Sequence, residues 1–549
     1  MGKNNYILLL FLCISSMLFA KGNPEKYIVY FKDKPTNVDV TKLFNEKALQ
    51  NRKKYNIPFD ERDFSVDTNY IVQLKNINAT ILNTSNWLNA SLISIDENDI
   101  SNLENLPFVT SIIKVEKTTI GGSGIASVKD INECEATNDI QDFENNYSSS
   151  FPQVNLLKGE YLHEQGFNGE NMTIAVCDNG FYNVNNNNAF THIFNENRLL
   201  GTYDYVHSDS LVYDESQGPP NYVSHGSNCF SFIAGYKENQ FIGTATKSNF
   251  YLFHTENTPT ERLQEEFNLA TALERCTQLG VNVVSISLGY TTFDVPSENH
   301  DTSDMRKNNT PSAKAVNMAV SKGLLVCVAA GNEGNSSWKY ISSPSDADSA
   351  FCIASVDING SIAVTSGYGL PNDPRVKPNV AAVGVSPYLI NTSGIVGQFG
   401  GGTSYATPQI AGLAACLWQA FPTKTNWEIK TAIEQSASQY LTPDKRIGYG
   451  IPDFKKAYQL LSSTTYVSNK ELENEFSVFP NPFLSTVNII SKGNTNIERI
   501  NVINNIGQII YTINAPTENT LALNDLPDGM YVLQIETDKG LLIKKIIKE

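Results

Sequence analysis

Cations are in short supply in this sequence. Lys and Arg number 41 against 57 Asp and Glu, a net charge of −16 over 549 residues. Gripping a phosphate backbone needs clustered positive charge, so nucleic-acid binding is excluded as the main function. Charged residues are only 18% of the chain and hydrophobic ones 41%, which excludes a disordered polyelectrolyte. Past the first twenty residues there is no run of 18 uninterrupted apolar residues, so no span of a bilayer is expected in the mature protein. C-x-x-C pairs are missing, as is any Cys/His spacing suited to zinc. Most cysteines sit in apolar runs and are expected as small core residues: Cys177, Cys327, Cys352 and Cys416, with Cys134, Cys229 and Cys276 elsewhere. Histidine is rarer still, with six in all, so the search for a general base is short: His163, His192, His207, His225, His254 and His300.

What is present divides the chain. Residues 1–20 have a basic start, an apolar stretch and Ala20 before Lys21, the layout of a signal peptide. Cys13 raises a lipoprotein reading that the bulky residues before it oppose. Residues 21–118 read as a small α+β domain, with strands expected at 26–31, 70–74 and 109–115 and helices at 40–49 and 81–88. Residues 119–150 are linker chemistry. Across 151–462, apolar runs at 173–177, 281–288 and 324–330 alternate with helices at 261–279 and 310–321. This predicts an α/β fold, a doubly wound parallel sheet with helices on both faces and its ligands at the carboxyl ends of the strands. A linker at 463–473 follows, and seven short strand-like runs over 474–549 predict an all-β sandwich.

Four segments can carry chemistry. Asp178 follows the run TIAVC and could fix an imidazole tautomer, or could simply form a turn before Asn179-Gly180. His225, in SHGSNCFSFIAG, begins a helical run beside Gly226, which permits close approach of neighbouring backbone. Asn332, in VCVAAGNEG, could donate to an oxyanion or serve an ordinary turn. Ser404, in GGGTSYATPQIAG, is presented at a helix N-terminus, and Pro408 is expected in that helix's first turn.

Together, DNG at Asp178, HGS at His225, AAGN at Asn332 and GTSYATP at Ser404 resemble the signature blocks of subtilisin-like serine proteases, in the order Asp, His, Asn, Ser. Departures are Asn179, Asn228 and Val383, none of which removes a reacting group. The resemblance implies a secreted serine endopeptidase with Asp178, His225 and Ser404 catalytic, and Asn332 with the Ser404 N–H as oxyanion hole. It also implies Ser287, Leu288, Gly289, Ala329, Ala330 and Gly331 as substrate-binding walls. Glu333 at the rim reads equally as a partner for a basic side chain or as a solvated carboxylate. No cofactor is expected for the reaction; structural calcium occurs in the family, but no carboxylate pattern locates it. The loop of residues 183–188 reads as a surface insertion.

The runs KYIVYFK at 26–32 and NLPFVTSIIKVEK at 105–117 resemble propeptides of this family, which implies an intramolecular inhibitor cut away within 117–150. VFPNPF at 478–483, NIGQ at 505–508 and DLPDGMYVLQI at 525–535 resemble the sorting domains of the type IX secretion system, implying export across the outer membrane and that machinery as a partner. Polypeptide substrates and a monomer complete the expectation. The alternatives are an inactive binding protein on the same scaffold and, more remotely, an esterase, against which G-T-S-x-A differs from the G-x-S-x-G elbow.

Overall fold

The computed structural model describes residues 24–36, 39–115, 147–214, 223–258, 260–306, 308–463, 472, 475–504, 509–516, 518–538 and 540–549. The signal segment, Cys13, Cys134, the linker and cleavage region through residue 146, most of the second linker and the NIGQ stretch lie outside them. At the centre is a seven-stranded sheet. Its strands in chain order are β1 (Thr173–Asp178), β2 (Leu199–Asp204), β3 (Asn249–His254), β4 (Val283–Ile286), β5 (Leu325–Ala329), β6 (Phe351–Val356) and β7 (Val380–Val383). They lie in the order β7-β6-β5-β4-β1-β3-β2, and every neighbouring pair is parallel.

A parallel sheet must be covered on both faces, because its crossovers place helices there. The alternation along β1 shows how this is met. Ile174 and Val176 join a core built on α1 (His225–Ala234) and on the helix Thr403–Ala420, while Ala175 and Cys177 join one built on α2 (Leu263–Gln278) and α3 (Pro311–Ser321). The Thr403–Ala420 helix is α4. The chain leaves β1 toward β3 and β2, then returns on the other side at β4, and this reversal opens a crevice at the carboxyl ends of β1 and β4. Gly280 and Gly323, just past α2 and α3, take φ of +68° and +96°, the left-handed conformation that ends a helix. All six described cysteines are buried thiols. Among the described residues no helix is long and apolar enough to cross a membrane.

In the N-terminal domain an antiparallel sheet orders Thr80–Ser85, Ala90–Asp96, Pro24–Phe31 and Val109–Val115 side by side. Two sequence expectations are reversed here. Residues 70–74 belong to a helix, Thr68–Asn76, capped by the Asp67 side chain, which accepts the Asn69 N–H. Residues 81–85 belong to a strand, Thr80–Ser85, in a hairpin with Ala90–Asp96. Runs this short carry too few turns for the apolar period to tell helix from strand, and the cap and the hairpin pairing decide. The expected helix at 40–49 is a 3-10 turn, Val40–Leu43, followed by the helix Glu46–Lys54.

This domain sits on α2 and α3. Phe267 of α2 packs with Ile28, Ala90, Leu92 and Val115. Glu274 of α2 accepts the Ser85 hydroxyl at 3.2 Å, the Trp87 N–H at 3.1 Å and the Asn86 amide. Lys322, just past α3, reaches Asp63 at 2.7 Å and Asp60 at 2.9 Å, and Asp63 also binds Arg52. The C-terminal domain consists of two antiparallel sheets, one of three strands and one of four, closed over Val487, Ile500, Val502, Leu533 and Ile535.

Candidate active site

β1 ends in Asp178, which is fully buried, and α1 starts at His225. The His225 Nδ1 lies 2.7 Å from Asp178 Oδ1, which also accepts the Asn179 N–H at 2.8 Å. Gly226 is what lets helix and strand come this close. A Cβ there would lie 2.3 Å from the Gly180 carbonyl and 2.8 Å from the Asp178 Cβ. Burial opposes the imidazolium, but the facing Asp178 carboxylate and the Cys229 sulfur outweigh it and raise the His225 pKa well above the ordinary value. Cys229, one helical turn on, places its sulfur 3.7 Å from His225 Nδ1 and 3.9 Å from Nε2. Of the other described histidines, His163 lies on the Thr244 carbonyl, His207 and His254 on Asp204, and His300 on Glu266, while His192 meets the Tyr236 ring edge-on and its buried Nε2 has no hydrogen-bond partner.

Ser404 is the second residue of α4 and 9% exposed, and Tyr405 next to it stacks on the His225 ring. The Ser404 hydroxyl donates to the Ser287 carbonyl at 3.3 Å and makes no bond to the imidazole. Catalytic hydrogen bonds are commonly loose before substrate arrives. Pro408 lies deeper in the helix than the sequence suggested, because the helix begins at Thr403. A proline there has no N–H to give to the carbonyl four residues back, which is that of Ser404. The Ser287 hydroxyl at 2.8 Å and the Cys229 thiol at 3.5 Å donate to that carbonyl instead. The proline thus ties the serine's own backbone to the end of β4 and to α1.

Asn332 follows β5. Its Oδ1 accepts both the backbone N–H of Thr403, at 2.9 Å, and the Thr403 hydroxyl, at 3.1 Å. That fixes the amide's orientation and turns its Nδ2 donor end away from Thr403. Gly402, with φ of +139°, makes room, since a Cβ there would meet the amide at 2.9 Å. Of the expected walls, Ser287, Ala329 and Ala330 are buried floor, Leu288 is half-buried and Gly289 is exposed. Glu333 is folded inward, and burial raises its carboxyl above the usual range. Sequence reading missed Cys229, Thr403 and Ser342. The first was visible as an i,i+4 neighbour of His225, whereas Ser342 comes from a loop that only the fold brings in.

Two clusters among the described residues hold three ligand atoms within 4.8 Å of one another: Asp178, His225 and Cys229, and Glu256, Glu261 and Glu265. The first is the imidazole's own set of contacts. In the second, Glu265 accepts the N–H groups of Asn257 and Arg262, and Glu256 accepts the Thr255 and Tyr290 hydroxyls. Burial pushes Glu256 to about 7 and Glu261 to about 8, and none of the three has an orphaned buried oxygen. Neither cluster is assigned to calcium. The loop of residues 183–188 lies at the surface, with Asn185, Asn186 and Asn188 exposed, and is anchored by Asn183 on the Thr392 carbonyl, by Asn187 on that of Asn391 and by Val184 in the core.

Three family models match the chain: the subtilase family at residues 169–450, the Bacteroidota peptidase S8 propeptide domain at 26–129, and a secretion system C-terminal sorting domain at 477–549. Subtilisin NAT of Bacillus subtilis subsp. natto is 27% identical over 317 residues, covering 57% of this chain and 72% of that protein. Subtilisin of Bacillus pumilus is 27% identical over 309 residues, 56% of this chain and 98% of that protein. Among solved structures, the MycP3 protease of the type VII (ESX-3) secretion system is 19% identical, with a TM-score of 0.45 over 58% of this chain and 89% of that one. The first match spans just over half the chain and includes Asp178, His225, Asn332 and Ser404. The chain belongs to the subtilase family of serine endopeptidases and carries a propeptide domain and a type IX sorting domain that directs it across the outer membrane.

Proposed function

We propose that peptide bonds are hydrolysed here by nucleophilic acyl transfer from Ser404, with His225 as general base and then acid, and Asp178 holding the imidazole tautomer. The observation that carries this reading is the 2.7 Å contact between His225 Nδ1 and buried Asp178, which leaves Nε2 as the proton-accepting nitrogen. In the reaction, Ser404 Oγ bonds to the carbonyl carbon while its proton passes to His225 Nε2. That proton then goes to the departing amine as the C–N bond breaks. Water repeats the sequence to free the acyl group. The negative oxygen of each tetrahedral intermediate is held by Asn332 Nδ2 and the Ser404 N–H, at the positive end of α4.

The N-terminal domain, seated on α2 and α3, acts as the intramolecular inhibitor until it is removed. Processed protein should hydrolyse casein and take up a fluorophosphonate label, and Ser404→Ala should lose both while keeping its far-ultraviolet circular dichroism. Labelling that persists in Ser404→Ala overturns the nucleophile assignment. A folded, processed wild type that takes no label supports the inactive-scaffold reading instead.

A further inference from the structure

The helix that carries His225 has no side-chain cap of its own. Ser224, at the N-cap of α1, has φ of −96° and ψ of −18°, and its side chain makes no capping bond among the described residues. The first N–H groups of a helix have no partner within it, so an acceptor from outside is needed to fix that end. Asn179, the residue after Asp178, supplies one: its Oδ1 accepts the Gly226 N–H at 3.2 Å. The backbone N–H of the same residue donates to Asp178 Oδ1 at 2.8 Å, the oxygen that also faces His225 Nδ1 at 2.7 Å. One residue therefore grips the carboxylate with its backbone and the start of the histidine's helix with its side chain.

The rest of this loop is tied to α1 farther from the imidazole. The Tyr182 N–H donates to the Val223 carbonyl at 3.0 Å, and the Tyr182 carbonyl accepts the Ser227 hydroxyl at 2.8 Å. Gly180, with φ of +117°, turns the loop beneath Val223, where an added Cβ would lie 3.0 Å from the valine side chain. Gly226 adjoins His225 and lies against the Asp178 side chain, so any slip of its N–H relative to Asn179 moves the imidazole relative to the carboxylate. We propose that Asn179 is a positioning residue for the reaction: by holding the Gly226 N–H it sets the contact between Asp178 and His225 and aims His225 Nε2 at Ser404; this rests on the Ser404 reading above.

Residue type and place both support the assignment. Asparagine is among the side chains preferred as acceptors at helix N-termini, and its oxygen adds no second negative charge beside the buried Asp178. A cap that only stabilised the helix would act on folding alone. Here the capped residue is next to the general base, and without the bond the first turn of α1 is free to shift along the catalytic contact. A misplacement of about 1 Å in such a centre costs on the order of 10²-fold in rate.

The test pairs Asn179→Leu, which keeps the size and removes the acceptor, with Asn179→Asp, which restores an oxygen at the same place. Both are made in the full chain, processed, and assayed on a nitroanilide peptide at a pH on the upper plateau of the rate profile. Asn179→Leu should lower kcat by about 10–100-fold with KM within about twofold of wild type. Asn179→Asp should recover most of that loss, since a helix N-terminus also accepts an anion. The downfield proton resonance of His225 Nδ1–H, read in the uncleaved Ser404→Ala precursor so that no processing is needed, should move upfield in Asn179→Leu and return in Asn179→Asp. A kcat unchanged in Asn179→Leu, or equal losses in both variants, overturns the proposal and leaves the Ser404 reading in place. A lowered melting temperature with kcat and resonance unchanged makes the residue structural only and overturns it as well. A wild type that takes no fluorophosphonate and cleaves nothing overturns the Ser404 reading itself.

Discussion

At the seam between the propeptide domain and the peptidase domain, buried charges are partnered: Lys322 lies between Asp60 and Asp63, Asp63 also holds Arg52, and Glu274 gathers three donors from residues 85–87. At the carboxyl ends of β1 and β5, by contrast, Asp178 Oδ2, Glu333 Oε2 and Ser342 Oγ are buried without partners. A buried polar group left unmade is costly, so the two regions hold opposite kinds of stability. At the seam these ionised groups already have partners, although Asn83 Nδ2, on the same cavity as Glu274, is buried without one.

The largest way to break this contrast is to make the seam resemble the cleft. Asp63→Ala leaves Arg52 and Lys322 as buried cations without their shared carboxylate, and should weaken the precursor by about 3–5 kcal/mol in chemical denaturation. In the cleft, Asn332→Ala should lower kcat by about 10²–10³-fold with KM little changed, the scale established for such a donor in this family and the sign of an interaction made only in the transition state. A raised KM with kcat unchanged would instead place Asn332 in ground-state binding.

Smaller effects come from pH. At the seam, burial raises Glu274 to about 7. Once the propeptide leaves, the carboxyl returns toward the ordinary range, so the complex binds the proton more tightly than the separated partners. Propeptide added in trans should therefore hold best at low pH and weaken as pH rises through about 7, and Glu274→Gln should flatten that slope. In the cleft, the raised His225 pKa keeps the base protonated to higher pH than a free imidazole. The rising limb of kcat/KM against pH should have its midpoint above the ordinary histidine value, and a midpoint below it would contradict the Asp178 contact.

Legibility differed sharply between regions. The buried strands of the central sheet showed as uninterrupted Val, Ile, Leu and Ala runs, so their carboxyl ends, and with them Asp178 and Asn332, could be placed from sequence. The propeptide domain was harder, because 70–74 and 81–85 are short, half-buried segments in which local pattern is weak and pairing across the sheet decides. Pro408 was read from helical chemistry alone, yet its position relative to Thr403 turned it from a first-turn residue into the reason the Ser404 carbonyl is free for Ser287.

The sequence by itself determined the parallel sheet, which the local period of apolar side chains sets, and its resemblance to the subtilases supplied the candidate reacting groups and their order. Only the tertiary structure decided which way Glu333 turns, that Ser342 meets it and which donors the Ser404 carbonyl receives. Glu333 and Ser342 share the loop after β5, whereas the Ser404 carbonyl's donors, Ser287 and Cys229, are 117 and 175 residues away, and the register that brings them together is a property of the packed sheet, not of any one segment.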